Sequence, residues 1–194
     1  MTYPALADLK SYLGVTTSAS DTVLQSYLTV SIKFVERFTG RVFVAESRTL
    51  SIPSASSAVR LRGRLLALPM DVLSVSRLSV VGESNETVVP STDFQLVSAL
   101  GAAPYRIIKL HPSAQVRFNF DGYHTISVGC MAGYSTSSPP DVNLAILQIA
   151  AGMYRKSLSR VTGTNINRPI AAIYESPGIP VDAAALLVPY RRFM

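Results

Sequence analysis

The chain has 194 residues, enough to bury a core as one domain or as two small ones. Apolar residues make up 48% and charged residues only 15%, which argues against extended disorder and leaves 37 Ser and Thr to supply much of the polar surface. The net charge of +6, with 14 Arg among 18 basic residues, is spread without a dense basic tract, which argues against a dedicated reader of nucleic-acid sequence. A charge-poor, hydroxyl-rich surface is easily desolvated and favours protein–protein contact.

The first element is a short helix. Thr2 can cap it, Pro4 suits its first turn, and Leu6, Leu9, Tyr12 and Leu13 form a stripe that ends at Gly14. Ser20 or Asp21 then caps a longer helix whose apolar positions Leu24, Tyr27, Leu28, Phe34, Val35 and Phe38 keep helical spacing, with Ser31 a gap in the stripe. Thr39-Gly40 closes it, Gly40 supplying a left-handed cap.

From Arg41 the period changes. Val42, Val44, Leu50 and Ile52 share one face of an extended segment, Val59 and Leu61 alternate with arginines, and Val72 to Val81 is β-branched. Short strands follow at Thr87 to Val89, Phe94 to Val97 and Tyr105 to Leu110. Val116, Phe118 and Phe120 alternate with polar neighbours before an Asp121-Gly122 turn into Thr125 to Met131. This spacing predicts an antiparallel β sandwich or small barrel, inserted between limits near residues 41 and 134. After the linker Ser135 to Pro140, a helix runs from Asp141 to about Arg160, apolar nearly all round in its first half and therefore central and buried. Val161 to Pro180 has no period, and a short helix from Asp182 to about Leu187 ends the pattern. The expected fold class is α+β: a helical bundle built from both chain ends, 1–40 and 135–194, with the β domain 41–134 inserted.

Catalytic and metal signatures are absent from the sequence. It contains no glycine-rich phosphate loop, HExxH, GxSxG or paired-carboxylate pattern, and the expectation is a protein that is not an enzyme and needs no cofactor. His111 and His124 are the obvious general bases. His124 and Cys130 share a strand face, but six residues at ~3.3 Å each set them about 20 Å apart. The single cysteine, Cys130, lies in an apolar run and reads as a buried thiol, with no intramolecular disulfide available. No basic start followed by an apolar stretch marks a signal peptide, and no run is long enough to span a membrane, so the expectation is assembly in a reducing cytoplasm.

Two groups stand out for binding. Arg60, Arg62 and Arg64 fall on one face if the strand continues through Gly63, where they would meet phosphate, acidic groups of a neighbouring strand or subunit, or open water. At the other end, Leu186, Leu187, Pro189, Tyr190, Arg191, Arg192 and Phe193 combine aliphatic, aromatic and Arg anchors, either as a docking segment or as a frayed basic tail. Removal of 181–194 is expected to leave the body folded.

Three stretches together resemble the head–tail connector (adaptor) proteins of tailed phages, in the longer form with a β insert. They are Leu24 to Arg41, ending Val35-Glu36-Arg37-Phe38-Thr39-Gly40-Arg41; Ala132-Gly133-Tyr134 with Pro139-Pro140 and the helix Ala145-Ile146-Leu147-Gln148 reaching Tyr154; and Ala185-Leu186-Leu187-Val188-Pro189-Tyr190-Arg191. They cover about a third of the chain, in the expected order, while Arg155-Lys156-Ser157 departs from the family pattern. The resemblance implies a homo-oligomeric ring, commonly of twelve copies, in the virion neck, bridging the portal protein to the next neck or tail protein. It also implies that the C-terminal segment reaches the portal and that DNA passes through the central channel without sequence-specific contact. The alternatives are another neck or tail-completion protein with the same ring logic, and a nucleic-acid-binding module.

Overall fold

A computed structural model describes residues 2–60, 63–82, 85–98, 101–118, 124–161 and 180–192. Among the described residues the chain is α+β, with four helices and seven strands of an antiparallel sheet. It divides into two compact units, one of Met1–Arg41 with Ser137–Met194, the other of Val42–Thr136.

In the helical unit, α1 (Leu6–Leu13) starts later than its cap signals suggest: Pro4 is buried ahead of it, and the Asp8 carboxylate accepts the Ala5 N–H at 2.7 Å. Helix α2 (Asp21–Thr39) buries Leu24, Leu28, Ser31, Val35 and Thr39, a strict 3–4 spacing. Ser31 therefore belongs to the buried face. Its hydroxyl donates to the Tyr27 carbonyl at 2.8 Å and so needs no outside partner, as the Thr39 hydroxyl does to Val35. Gly40 closes the helix at φ 67°. Helix α3 (Pro140–Val161) buries Val142, Ala145, Ile146, Ile149, Ala150 and Ala151, and packs on α1, α2 and α4 (Val181–Leu187), which makes it the centre of this unit. Lys10 pairs with Asp21 at 2.7 Å between α1 and α2, and the Tyr154 hydroxyl donates to Ser20 at 3.2 Å.

The β unit is organised by one long strand. The strands are β1 (Glu46–Pro53), β2 (Val59–Arg60), β3 (Leu65–Val81), β4 (Glu86–Val88), β5 (Phe94–Val97), β6 (Tyr105–Leu110) and β7 (Thr125–Ala132), in the order β1-β7-β3-β6-β5, with β2 and β4 also on β3. β3 changes partners along its length: Leu65–Ala67 pair with β6, the first two of them also with β2, Val72 pairs with both β6 and β7, and the strand from there to Val81 pairs with β7 and, at its end, β4. The register shifts between Ala67 and Val72, where Pro69 has no N–H to give a ladder. Across this bend the core runs continuously through Leu66, Leu68, Val72, Leu78, Ile108, Phe118, Ile126 and Val128. Among the described residues β1 and β5 each have one partner strand, so the pairing describes a sheet with two edges.

Two segments stand side by side where the chain enters and leaves this unit. Tyr134 N–H donates to Val42 O at 2.8 Å, Ser135 N–H to Phe43 O at 3.1 Å, and Ala45 N–H to Ser135 O at 2.9 Å. The Phe43 and Tyr134 rings meet edge to face at 5.8 Å. Gly133 lies against the Ala45 Cα, in space that a side chain would need, and its N–H donates to Asp71 O at 2.7 Å. The Asp71 carboxylate is buried and pairs with Arg106 at 3.4 Å, tying the β3 bend to β6.

One expected strand is absent. Gln115–Phe118 lie outside any strand, because the Phe118 N–H goes to the Gly63 carbonyl of a turn; Phe120 and the Asp121-Gly122 turn fall outside the described residues. The alternation there reflects the buried Phe118 side chain of an irregular segment.

Gly133→Ala should lower the stability of the β unit by more than about 2 kcal/mol in urea unfolding, since its Cβ meets main chain that cannot move aside. Gly152→Ala, in open space on α3, should instead stabilise by up to about 1 kcal/mol. Arg106→Met, which removes the cation beside the buried Asp71 carboxylate, should cost about 2 kcal/mol after allowance for the partial exposure of Arg106.

Candidate functional site

The C-terminal segment is folded against the helical unit. Leu187 and Ala183 are fully buried, Leu186 is half-buried, and a single 3₁₀ turn, Val188–Tyr190, follows α4. Three contacts then hold the chain at the end of α2, and a fourth reaches the first turn of α3. Arg192 N–H donates to Thr39 O at 2.7 Å, and Arg41 Nε to Tyr190 O at 2.7 Å. The Arg191 guanidinium lies 5.5 Å from the Phe38 ring centroid, and the Tyr190 hydroxyl reaches Asp141 at 3.4 Å. Thr39 O is one of the last carbonyls of a helix, which cannot be satisfied within that helix, so the passing chain completes the cap.

A frayed tail is thus not what residues 181–192 form. Of the seven residues singled out there, Leu187 holds the segment down. Pro189 and Arg191 are exposed, Leu186, Tyr190 and Arg192 are partly covered, and Phe193 lies outside the described residues. Because Ala183 and Leu187 are buried, removing 181–194 would take two side chains out of the packed interior of the helical unit. Residues 162–179, most of the aperiodic stretch before it, also lie outside the described residues.

The arginine group has a different geometry from the one expected. β2 is described as Val59–Arg60, and Gly63 lies in a turn at φ 76° with the Phe118 carbonyl pressed on the space a Cβ would fill. The strand does not continue through Gly63, so period-two spacing does not put Arg60 and Arg64 on one strand face. They lie instead on either side of a tight turn, with Arg64 N–H donating to Arg60 O at 3.2 Å; Arg62 lies outside the described residues.

Catalytic chemistry finds little support in this arrangement. β7 is paired with β1 along its whole length, so His124 and Cys130 stand towards opposite ends of it. Burial raises the Cys130 thiol above its ordinary pKa, which keeps it protonated and unreactive. Among the described residues no three His, Cys, Asp or Glu are placed to hold a metal ion, and no helix is long and apolar enough to cross a membrane.

Residues 3–61 match the family described as Phage gp6-like head-tail connector protein. The whole chain resembles solved structures in fold. A chain from the "Neck of empty GTA particle computed with C6 symmetry" matches with TM-score 0.67 and 19% identity, over 98% of this chain and 90% of that one. A chain from the "Virion of native gene transfer agent (GTA) particle" gives 0.64 and 22%, over 100% and 94%. One from the "Neck of native GTA particle computed with C12 symmetry" gives 0.61 and 20%, over 97% and 88%. No curated protein matches the chain. The family match covers the first third of the chain, and the likeness to these structures is one of fold.

Truncation at Pro180 should lower the unfolding free energy by more than about 2 kcal/mol, because it empties the sites of Leu187 and Ala183. Ending the chain after Leu187 should cost distinctly less, and parallel denaturant titrations of the two truncations would show the difference.

Proposed function

We propose that this chain is a structural component of a virion neck, forming a ring of identical subunits between the portal protein and the next neck or tail component, with DNA passing through the centre. The observation that carries the reading is the fold likeness over nearly the whole chain, both units included, to chains of GTA necks, joined to the connector-family match at residues 3–61. Those particles were treated with C6 and C12 symmetry, and the proposal carries a dodecameric ring over to this chain. A closed ring needs two different complementary patches on each subunit, which a chain with two compact units can offer.

In this reading the helical unit, drawn from both chain ends, is the connector body, the β unit is its insert, and assembly takes place in the host cytoplasm. The C-terminal segment docks on the portal through Leu186, Pro189, Tyr190, Arg191, Arg192 and Phe193, with Leu187 as its root. Arg and aromatic side chains on a short, pre-ordered turn suit a docking role, since little conformational freedom remains to be lost on binding. The role is one of contact, with no reaction and no cofactor.

Electron microscopy of the purified chain with the portal protein of its own particle should show rings stacked on the portal. Arg191→Glu should abolish that association with little change in melting temperature, because the Phe38 contact it loses is worth about 0.5–1 kcal/mol. Rings that bind the portal as well with Arg191→Glu would refute the docking role; failure of the unaltered chain to associate with the portal would refute the connector reading.

A further inference from the structure

Four cations from three separate stretches of sequence converge on one end of the β unit. The register places Arg60 opposite Leu65, and Leu65 opposite Lys109, so Arg60 and Lys109 flank the same residue on the outward face of β2, β3 and β6. The next pairs in register, Val59, Leu66 and Ile108, are buried, which fixes which face is outward. At two strand spacings the Arg60 and Lys109 backbones lie about 10 Å apart. Arg64 follows on the turn, where its carbonyl accepts Leu110 N–H at 2.9 Å. Arg117 is brought in by the neighbouring bond, Phe118 N–H to Gly63 O at 2.9 Å. Arg60, Lys109 and Arg117 are exposed and Arg64 is partly so.

Among the described residues none of the four forms an ion pair. Among the described carboxylates of the same unit, Glu46 pairs with Arg48, Asp71 with Arg106 and Glu86 with Arg77, while Asp93 accepts only from the neutral Thr92 hydroxyl. In the helical unit Asp21 pairs with Lys10 and Glu36 with Lys33. The aliphatic residues beside the cations, Leu65, Ala67, Ile107 and Val97, are largely covered and supply no exposed apolar centre such as a protein interface uses. This end of the sheet exposes the four cationic groups and the amide of Gln95, which is opposite Lys109, with His111 and the partly covered Asp93 at the margin beside it.

We infer that Arg60, Arg64, Lys109 and Arg117 form a contact site for the phosphodiester backbone of duplex DNA, read without regard to sequence. The site deepens the proposed neck function and rests on it for the choice of DNA as the polyanion. Arg suits the role through its planar donors, and the absence of an aromatic platform among the four residues leaves base stacking aside.

Fluorescence anisotropy with two short labelled duplexes of unrelated sequence tests the site on the full-length chain. Both should bind equally, with log affinity falling on log salt at a slope of about −3 to −4, as four phosphate contacts require, and hence about 100-fold between 50 and 200 mM salt. Substituting Arg60→Gln, Arg64→Gln, Lys109→Gln and Arg117→Gln together should flatten that slope to near zero at unchanged melting temperature. Arg155→Gln with Lys156→Gln on α3 should leave it intact. The inference is overturned if the unaltered chain does not bind at 50 mM salt, if the α3 pair carries the loss, or if the quadruple variant keeps the slope. Poly-L-glutamate that competes as strongly per charge as DNA would overturn it in favour of an acidic protein partner. Ring formation on the portal by the quadruple variant is read separately, so that loss of DNA contact and loss of the connector role remain distinct results.

Discussion

The β unit depends on a clasp between segments some ninety residues apart. Its strands can be inserted into a helical chain because residues 42–45 and 133–135 hydrogen-bond to each other at the point where the chain enters and leaves. Closing so long a loop is entropically costly, but the cost grows only slowly with length, and several main-chain bonds formed together with the Phe43–Tyr134 contact offset it. Asp71 links this clasp to the rest of the sheet: its carbonyl accepts the Gly133 N–H, and its carboxylate holds Arg106 of β6 at the bend of β3. One buried residue thus couples the root of the unit, the bend in its longest strand and a neighbouring strand.

The C-terminal segment shows a second kind of economy. The end of α2 leaves carbonyls that its own helix cannot satisfy, and the chain at 190–192 satisfies one of them while Arg41 holds the Tyr190 carbonyl in return. A segment arranged this way is ordered by the body that carries it. Its aromatic and Arg groups are presented on a fixed turn, and Leu187 provides the buried attachment.

Several parts of this arrangement are legible in the sequence, for identifiable reasons. Leu24, Leu28 and Val35 repeat at helical spacing, Gly40 supplies the left-handed cap, and the apolar run from Val142 to Ala151 marks a helix buried among others. The alternation in Thr125–Ala132 likewise matches a strand with one face in the core. The first half of β3 is much harder to read, because Pro69 interrupts it and Leu65, Leu66 and Leu68 do not alternate with polar residues. Only the partner change at the bend makes an extended conformation tolerable there. Arg60 and Arg64 gave a misleading period, since the chain turns at Gly63, which adopts a positive φ, instead of continuing as a strand through it.

The sequence by itself determined the α+β composition, the helical ends around a strand-rich middle, and the want of a catalytic motif, because periodicity, caps and residue chemistry are local properties. The tertiary structure alone decided that Ser31 is buried and self-satisfied, that Leu187 is an anchor inside the fold, and that Lys109 and Arg117 stand with Arg60 and Arg64. Those outcomes depend on which main-chain groups pair across tens of residues. Such pairing is set by register and burial in the assembled fold, which no window of neighbouring residues contains.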